Sequence, residues 1–518
     1  MISIKVYGFY DILINTGRTR VMLFHSYLFI FVFFPVTLFL WYWLNRIGKH
    51  RFAQILLAVL SLVFYGYGHV SYIVLILVSV LVNWLTSSLI EWLDERGEEK
   101  SRAGTVVGIA GICFNIGLLF YFKYFDFFLT NINRLFSMDF PMKKIALPLG
   151  ISFFTFQQIS FVADRIMRKT EHYRMLDYIN YVTFFPQLVA GPIVNHRDLV
   201  PQFQAIGTGD RKVGGGSGEH ILTGIRLFVL GMAKKVLLAD KFGILADAGY
   251  LDVASLDAPA AFLVMLCYTF QIYFDFSGYC DMALGIAKLF RIDLPRNFDA
   301  PYRSCSVKEF WNRWHMTLNA FFTQYVYIPL GGSRRGLLRK LRNTMVVFLL
   351  SGIWHGAAWT FVLWGILHGL MLCLENFSWV EKIPRKLRWF FTFTFINLAW
   401  VLFRSNSIPA AFMFYQKLFS FTNKGKIFEL CSSIESSWNY PLGILAGKIG
   451  GNAAMLPFYC GIVLLLLLLA VMLCRGRETY VYVAEKEATA GKMFLLALLF
   501  TCSVVSLSGV TSFLYFNF

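Results

Sequence analysis

The feature that most constrains this chain is its series of long apolar runs separated by short basic loops. About 20 apolar residues cross the hydrocarbon core of a bilayer as a helix. Charged residues make up 15% of the chain, against roughly 25% in a soluble domain, and 57% of the residues are hydrophobic. The sequence therefore predicts an all-α, polytopic membrane protein. The eleven candidate runs are 21–44, 55–67, 73–85, 105–122, 146–162, 221–238, 260–274, 345–374, 389–403, 455–474 and 493–515.

Three further apolar stretches are interrupted by proline, glycine or charge: 178–194, 276–290 and 310–330. Broken backbone at membrane depth is tolerated only inside protein or around a water-filled cavity. We therefore predict about eleven transmembrane helices together with a few re-entrant helices, which enclose a cavity formed by the middle of the chain.

The hydrophilic segments divide the chain into an atypical N-terminal segment (1–21), a core (22–420) and a C-terminal extension (421–518). The extension is predicted to contain a polar loop and two further transmembrane helices. A glycine-rich run at 207–218 lacks the Lys-Ser/Thr of a phosphate-binding loop and is interpreted as a flexible loop. Neither hydrophilic segment is large enough for a soluble catalytic domain, so any chemistry must take place in or at the membrane.

The net charge of +18 and the nine cysteines exclude several classes of function. Lysine and arginine lie in short loops between apolar runs, as membrane topology requires, and no basic soluble module suggests nucleic-acid binding. The cysteines are scattered without disulfide or Cys/His ligand spacing, so no metal site is expected. The lipid bilayer is the expected partner of the apolar runs.

The densest polar region within the apolar sequence is 275–368, and its first members are Asp275 and Asp281. These acids interrupt an aromatic run and are expected to stabilise helix ends or to pair with arginine. A direct catalytic role is the alternative. Ser277 and Gly278 between them are expected to bend or loosen the helix.

His315 follows a predicted helix start, because Ser306 and Glu309 have the spacing of a capping box. Trp311 and His315 are four residues apart, which places the imidazole beside an indole on one continuous helix. Asn319 lies one turn further on. A structural histidine is common on such an aromatic face, so this spacing alone does not assign a chemical role.

His355 is the sharpest local signal. It lies within the run 345–374, has no acid or base within four residues, and is costly there unless it faces a cavity. Gly352 and Gly356 leave space around it. On a continuous helix His368 would lie about 220° away around the axis, so a packing or hydrogen-bonding role is expected for it.

A basic cluster includes Arg334, Arg335 and Arg339. The positive-inside rule places it in the cytoplasm. The cluster would also suit an anionic donor such as coenzyme A, although topology alone explains it, and both interpretations remain open.

At these residues the chain resembles the membrane-bound O-acyltransferases, and within them the bacterial alginate O-acetylase membrane-component branch. The resemblance extends from about residue 22 to residue 420. The matching stretches are PLGISFFTF (148–156), FPQLVAGPI (185–193), YFDFSGYCDMA (273–283), NFDAPY (297–302), FWNRWH (310–315), GIWHGA (352–357) and WVLFR (400–404).

The resemblance implies a ring of helices around a thin centre with a tunnel, in the cytoplasmic membrane of a bacterium. The family's invariant histidine matches His355, and a second functional histidine matches His315. Acetyl-coenzyme A or a carrier-protein thioester would be the co-substrate, with no bound cofactor. A polysaccharide hydroxyl would be the acceptor, reached directly or through an extracytoplasmic SGNH-type transferase. D-alanyl transfer to teichoic acid is the alternative within the same family.

The mechanistic hypothesis makes His355 the general base, because imidazole exchanges protons near neutral pH. His315 would orient the acceptor, donate to the thioester carbonyl or assist proton transfer. A transporter without chemistry and a scaffold for a separate transferase are the competing readings. The residues expected to line the tunnel or support the site are Trp311, Trp354, Asn319, Asp275 and Asp281.

Overall fold

A computed structural model describes residues 21–96, 102–211, 213, 218–377, 382–421, 425–434, 452–509 and 514. Over these residues all regular secondary structure is helical, without a strand, which confirms the predicted all-α class. Within the same ranges, five helices are long and apolar enough to cross a membrane: Phe29–Arg46, Ser71–Glu95, Arg102–Phe136, Ala258–Leu289 and Met455–Arg475. The N-terminal segment 1–20 and most of the polar loop 423–452 lie outside the described residues.

Among the described residues, eight helices precede the glycine-rich run. They are α1 (Phe29–Arg46), α2 (His50–Gly66), α3 (Ser71–Glu95), α4 (Arg102–Phe136), α5 (Ile151–Ile166), α6 (Met175–Thr183), α7 (Phe185–Leu188) and α8 (His196–Gly207). A π-helical turn, Phe120–Tyr124, interrupts α4.

The middle of the chain contributes α9 (Glu219–Ala233), α10 (Asp240–Leu251), α11 (Ala258–Leu289), α12 (Val307–Arg313), α13 (Met316–Phe322), α14 (Leu337–His355), α15 (Trp359–Leu374), α16 (Arg385–Arg404) and α17 (Ile408–Lys417). A π-helical segment, Lys234–Ala239, joins α9 to α10, and a second one, Thr323–Tyr327, follows α13. The extension adds α18 (Lys426–Ser432), α19 (Asn452–Arg475), α20 (Thr479–Glu485) and α21 (Ala490–Val505).

The predicted interruptions at 178–194 and 310–330 are confirmed. The first contains α6 and α7, and the second contains the ends of α12, α13 and a π-helical segment. The predicted helix start is also confirmed, because the Ser306 hydroxyl accepts from the Glu309 backbone N–H at 3.0 Å. The Glu309 carboxylate accepts from the Cys305 backbone N–H at 2.8 Å, one residue earlier than in a capping box.

The predicted interruption at 276–290 is wrong, because α11 continues without a break through Ser277 and Gly278. Gly278 permits close packing rather than bending. A Cβ added at Gly231 of α9 would lie 2.6 Å from the Gly278 carbonyl oxygen, and one added at Gly285 would lie 2.6 Å from that of Gly224. These two glycine pairs let α9 and α11 approach closely, as small residues do between membrane helices.

Replacing Gly278 by alanine is expected to destabilise the protein by about 1–3 kcal/mol, because overpacking must separate α9 from α11. A Cβ at Gly117 would meet nothing within 4 Å, so Gly117→Ala serves as the control and should be neutral or stabilising. Thermal unfolding in detergent measures both. Equal stability of the two variants would contradict the close approach.

The run 345–374 is not one helix. α14 ends at His355, Gly356 and Ala358 are extended, and α15 begins at Trp359. α15 then returns antiparallel along α14, since Gly365 lies against Phe348 and Gly369 against Met345. The chain reversal places His355 at the turn of a helical hairpin.

The C-terminal extension packs against the core. Arg226 of α9 donates to the backbone carbonyls of Val483 and Lys486, and the Leu514 backbone N–H donates to the Asp275 carboxylate at 2.8 Å. Glu478 is buried between α19 and α20. The residues after 420 therefore contribute to the interior around α9 and α11.

Candidate active site

His355 is held at the centre of an aromatic cluster. Its ring is 3% exposed and lies 5.0 Å from the Trp354 ring and 5.2 Å from the rings of Trp364 and Phe403, measured between centroids. Added Cβ atoms at Gly352 and Gly356 would collide with Phe361, so these glycines admit α15 rather than a substrate.

His315 has a left-handed backbone conformation, with φ 45°, between the end of α12 and the start of α13. This conformation is uncommon for a residue with a side chain and requires support from its surroundings. Asn297 provides that support. Its backbone carbonyl accepts from the Met316 N–H at 3.0 Å, and its side-chain oxygen accepts from the Thr317 backbone N–H and hydroxyl.

The same Asn297 oxygen determines how His315 is protonated. This oxygen lies 3.2 Å from His315 Nδ1. Because the atom accepts from the Thr317 backbone N–H, it is the amide oxygen, which can only accept hydrogen bonds. Nδ1 must therefore carry the hydrogen, which leaves the lone pair of a neutral imidazole on Nε2. The Asn297 amide thus orients the ring and selects its tautomer.

Both histidines contact the same indole. The Trp354 ring lies 6.0 Å from His315 and 5.0 Å from His355 between centroids, and it also packs against Phe153 at 5.5 Å. The indole beside His315 is therefore Trp354, and the proposed pairing along one helix is not formed, because α12 ends at Arg313. Two residues forty positions apart meet in one buried cluster.

Trp311 pairs with a different histidine. Its Nε1–H donates to His368 Nδ1 at 3.1 Å, which fits the hydrogen-bonding role predicted for His368. The expectation that His368 lies opposite His355 is wrong, because the helix breaks between them. Both imidazoles contact Trp364, at 4.6 Å for His368 and 5.2 Å for His355.

Asp275 and Asp281 belong to a buried ion network rather than to the aromatic cluster. Lys235 lies 2.7 Å from Asp275, and Lys234 lies 2.9 Å from Asp281 and 3.1 Å from Glu478. The predicted arginine partners are therefore lysines, from the π-helical segment after α9. The sequence feature that could have identified these partners is the pair of adjacent lysines inside the apolar run 221–238, since such charges rarely enter a membrane without partners.

The remaining predicted residues lie apart from the histidines. The half-buried Asn319 amide donates to Asn312 at 3.4 Å. Arg334, Arg335 and Arg339 are exposed near the start of α14. Since α14 rises 1.5 Å per residue, the 16 residues from Arg339 to His355 span about 24 Å.

Lys123, which the sequence analysis missed, fixes the end of α14. Its ammonium donates to the carbonyls of Trp354 at 2.6 Å and His355 at 3.2 Å, and the Tyr124 hydroxyl donates to Ile353 at 2.9 Å. A cation at a helix C-terminus satisfies carbonyls that lack intrahelical partners. A lysine in the aromatic run FYFKY, directly after the predicted span 105–122, was the signal.

Two cavities meet at Lys123. The smaller, of about 50 Å³, touches His355, Trp354 and Ser152. The larger, of about 300 Å³, is lined by Asp126 and by the turn 356–358. Lys123 and Leu147 line both cavities, so the space beside His355 adjoins a wider one at the end of α14.

Replacing Lys123 by methionine is expected to lower the rate of acyl transfer about 10- to 100-fold, because a displacement of about 1 Å in a catalytic group has effects of this size. Lys143→Met is the control, since Lys143 is exposed and lies over the Phe125 ring at 4.9 Å. The effect should fall on kcat, and Lys123→Arg should recover part of it. An unchanged kcat for Lys123→Met would contradict the positioning role.

Comparison with known proteins agrees with this arrangement. The profile of the MBOAT, membrane-bound O-acyltransferase family, matches residues 153–408. The chain is 39% identical over 431 residues to the peptidoglycan O-acetyltransferase of Helicobacter pylori, a match that covers 77% of this chain and 80% of that protein. The chain belongs to the membrane-bound O-acyltransferase family. The predicted resemblance is confirmed.

Other relatives within the membrane-bound O-acyltransferase family match at lower identity. The probable alginate O-acetylase AlgI of Pseudomonas aeruginosa is 35% identical over 415 residues, covering 77% of this chain and 75% of the relative. The teichoic acid D-alanyltransferase of Streptococcus thermophilus is 30% identical over 251 residues, 45% of this chain and 58% of the relative. The chain is an acyltransferase and an integral membrane protein, and the O-acetyltransferases match more of it than the D-alanyltransferase does.

Proposed function

We propose that this protein transfers acetyl groups from a cytoplasmic thioester, acetyl-coenzyme A, to hydroxyls of an extracytoplasmic polysaccharide. The observation that carries the proposal is the contact of His315 and His355 with the same Trp354 indole. It brings two proton-exchanging groups together inside a membrane protein whose relatives are O-acetyltransferases. The protein would lie in the bacterial cytoplasmic membrane.

The sidedness of α14 supports this direction of transfer. Its N-terminal end follows the basic cluster, which the positive-inside rule assigns to the cytoplasm. α5 lies beside this region. Ser152, near the start of α5, lines the cavity at His355, and Asp164, near its end, accepts from the Tyr325 hydroxyl at 2.8 Å. His355 and its cavities would then lie toward the extracytoplasmic half, where a polymer hydroxyl can approach. The donor's acyl end would reach them through a tunnel among the central helices, while its charged end stays at the basic side.

The proposed chemistry assigns one proton to each step. His355 removes the proton from the acceptor hydroxyl while the hydroxyl oxygen attacks the thioester carbonyl. The C–S bond then breaks, and the thiolate takes the proton back from His355. Because the lone pair of His315 is on Nε2, His315 in this tautomer accepts hydrogen bonds there. This favours orientation of the hydroxyl or proton transfer over donation to the thioester carbonyl.

The acceptor is proposed to be peptidoglycan or an exopolysaccharide such as alginate, by analogy with the two O-acetyltransferase relatives. An extracytoplasmic SGNH-type transferase would receive the acetyl group where the polymer itself does not reach His355. D-alanyl transfer is the second candidate. It rests on the shorter match to teichoic acid D-alanyltransferase.

The proposal is tested in sealed membrane vesicles of known orientation. Labelled acetyl-coenzyme A is added on the cytoplasmic side, and label released by mild base is measured on peptidoglycan, alginate or an added SGNH-type transferase. Label on one of these acceptors is the expected result. Transfer of label from a D-alanyl carrier protein instead would identify D-alanyl transfer as the function. Polymer transport without transfer of label from either donor would identify a transporter and contradict the proposal.

A further inference from the structure

A third cavity, whose lining contains no histidine, lies where several helices end on the basic side of the membrane. It has a volume of about 550 Å³ and is bounded by the start of α16, the end of α19 and the turn around Arg303. The side of the membrane on which the cavity lies follows from Glu375, just past the end of α15. The Glu375 carboxylate accepts from the Lys308 backbone N–H at 2.9 Å, so the start of α12, which follows the Arg303 turn, lies beside the end of α15. α15 ends on the same side as α14 begins, so the cavity shares the face of the basic cluster.

Four cations surround this cavity: Arg303, Arg385, Lys386 and Arg475. No acidic side chain lines it, and none of the four lies within 4.0 Å of a carboxylate among the described residues. Arg313 at the end of α12, by contrast, is paired with Glu309 at 3.1 Å. The charges of four cations around one cavity add to a positive potential that no carboxylate of the described residues offsets, which favours an anionic ligand. The guanidinium groups match the geometry of phosphate.

The walls of the cavity are aromatic and fixed. The Trp389 Nε1–H donates to the Tyr302 carbonyl at 2.9 Å, and the Trp389 and Phe393 rings stack with centroids 5.5 Å apart. Phe390, which also lines the cavity, is 54% exposed, and Met472, next to the lining residue Val471 in the chain, is 69% exposed. These two side chains mark a lipid-facing surface on two predicted spans. A ligand here meets phosphate-binding groups at one end and a hydrocarbon environment at the other.

We propose that this cavity binds an anionic phospholipid, with its phosphate headgroup among the four cations and its acyl chain along the Trp389 and Phe393 wall. Basic pockets between membrane helices on the cytoplasmic side bind anionic headgroups in this way. Because Arg385 belongs to the core and Arg475 to the C-terminal extension, the lipid also bridges these two parts of the chain. The site is independent of the acyl-transfer chemistry.

The test compares the double variant Arg385→Gln/Arg475→Gln with the matched control Arg334→Gln/Arg335→Gln. The control removes the same charge from the same face but does not line the cavity. Purified full-length protein is titrated with phosphatidylglycerol and with phosphatidylcholine, and bound lipid is counted by native mass spectrometry. We expect the wild type and the control to prefer phosphatidylglycerol, and the cavity variant to bind it about 30-fold more weakly, the combined effect of two cations near an anionic headgroup.

Three results would overturn the proposal. Equal binding of the two lipids would exclude headgroup recognition, and an equal loss in the control would indicate unspecific surface charge. Displacement of phosphatidylglycerol by coenzyme A would assign the phosphate site to the nucleotide of the donor instead. Thermal unfolding of each variant in lipid-free detergent checks that the substitutions leave the fold intact, and Arg385→Lys/Arg475→Lys, which keeps the charge, should retain most of the binding.

Discussion

Replacing His355 by alanine is expected to lower polysaccharide O-acetylation roughly 100- to 10,000-fold, the usual contribution of a positioned general base. The imidazole is buried at the end of α14, against Trp354 and Trp364, and adjoins the cavity beside Lys123. Alanine leaves the α14 backbone and its Lys123 bonds in place while it removes the group that takes the proton. Acetate released from the polymer by mild base measures the effect.

His368→Gln is the matched control, because His368 is an equally buried histidine that contacts the same Trp364 ring. Glutamine keeps an acceptor for the Trp311 indole, so a small change in activity is expected. Membrane insertion of both variants is compared by the amount of protein recovered. Normal O-acetylation by the His355 variant would exclude it as the base, and an equal loss in both variants would point to packing instead of proton transfer.

Replacing Lys234 by methionine is expected to destabilise the protein by about 3–5 kcal/mol, the cost of removing one partner from a buried ion network. The ammonium lies between Asp281 and Glu478, and the exposed fractions of the three side chains are 13%, 8% and 5%. Without it, two carboxylates face each other inside the membrane domain. Thermal unfolding in detergent, monitored by tryptophan fluorescence, measures the loss.

Lys288→Met provides the contrast. Lys288 pairs with Asp293 at an accessible position, where a salt bridge contributes about 0–1 kcal/mol. The triple variant Lys234→Met/Asp281→Asn/Glu478→Gln removes all three charges and should recover much of the stability, because neutral replacements of buried ion pairs are often tolerated. If Lys234→Met were no more harmful than Lys288→Met, the network would not stabilise the interior.

The sequence predicted the helical class, the family and the two histidines, because these depend on composition and on local motifs. Whether an apolar run stays helical was harder to predict. The glycine in 276–290 was interpreted as a bend, yet it faces a second glycine on α9, a contact between residues 47 positions apart (278 − 231). The break after His355 was missed because no proline or charge marks it. Phe361 stabilises it by filling the space above Gly356.

The supporting groups of the site could not be predicted, because they come from distant parts of the chain. Lys123 reaches the end of α14 across 231 positions (354 − 123), and Asn297 sets the tautomer of His315 from a separate loop. Asn297 lies in a motif that carried the family resemblance, but the motif gave no role for its amide. The roles of both histidines in catalysis are predictions, and the His355→Ala experiment tests that of His355.

The burial of Glu478 beside Lys234 has a genetic consequence. A nonsense codon or frameshift between positions 421 and 477 would leave every recognised motif intact in the translated product, yet remove one of the two counter-ions of a lysine in the interior. Such an allele is expected to behave as a null, with the truncated product degraded by membrane proteases. A genome survey that scores this gene as functional because its motif region is intact would misclassify those strains.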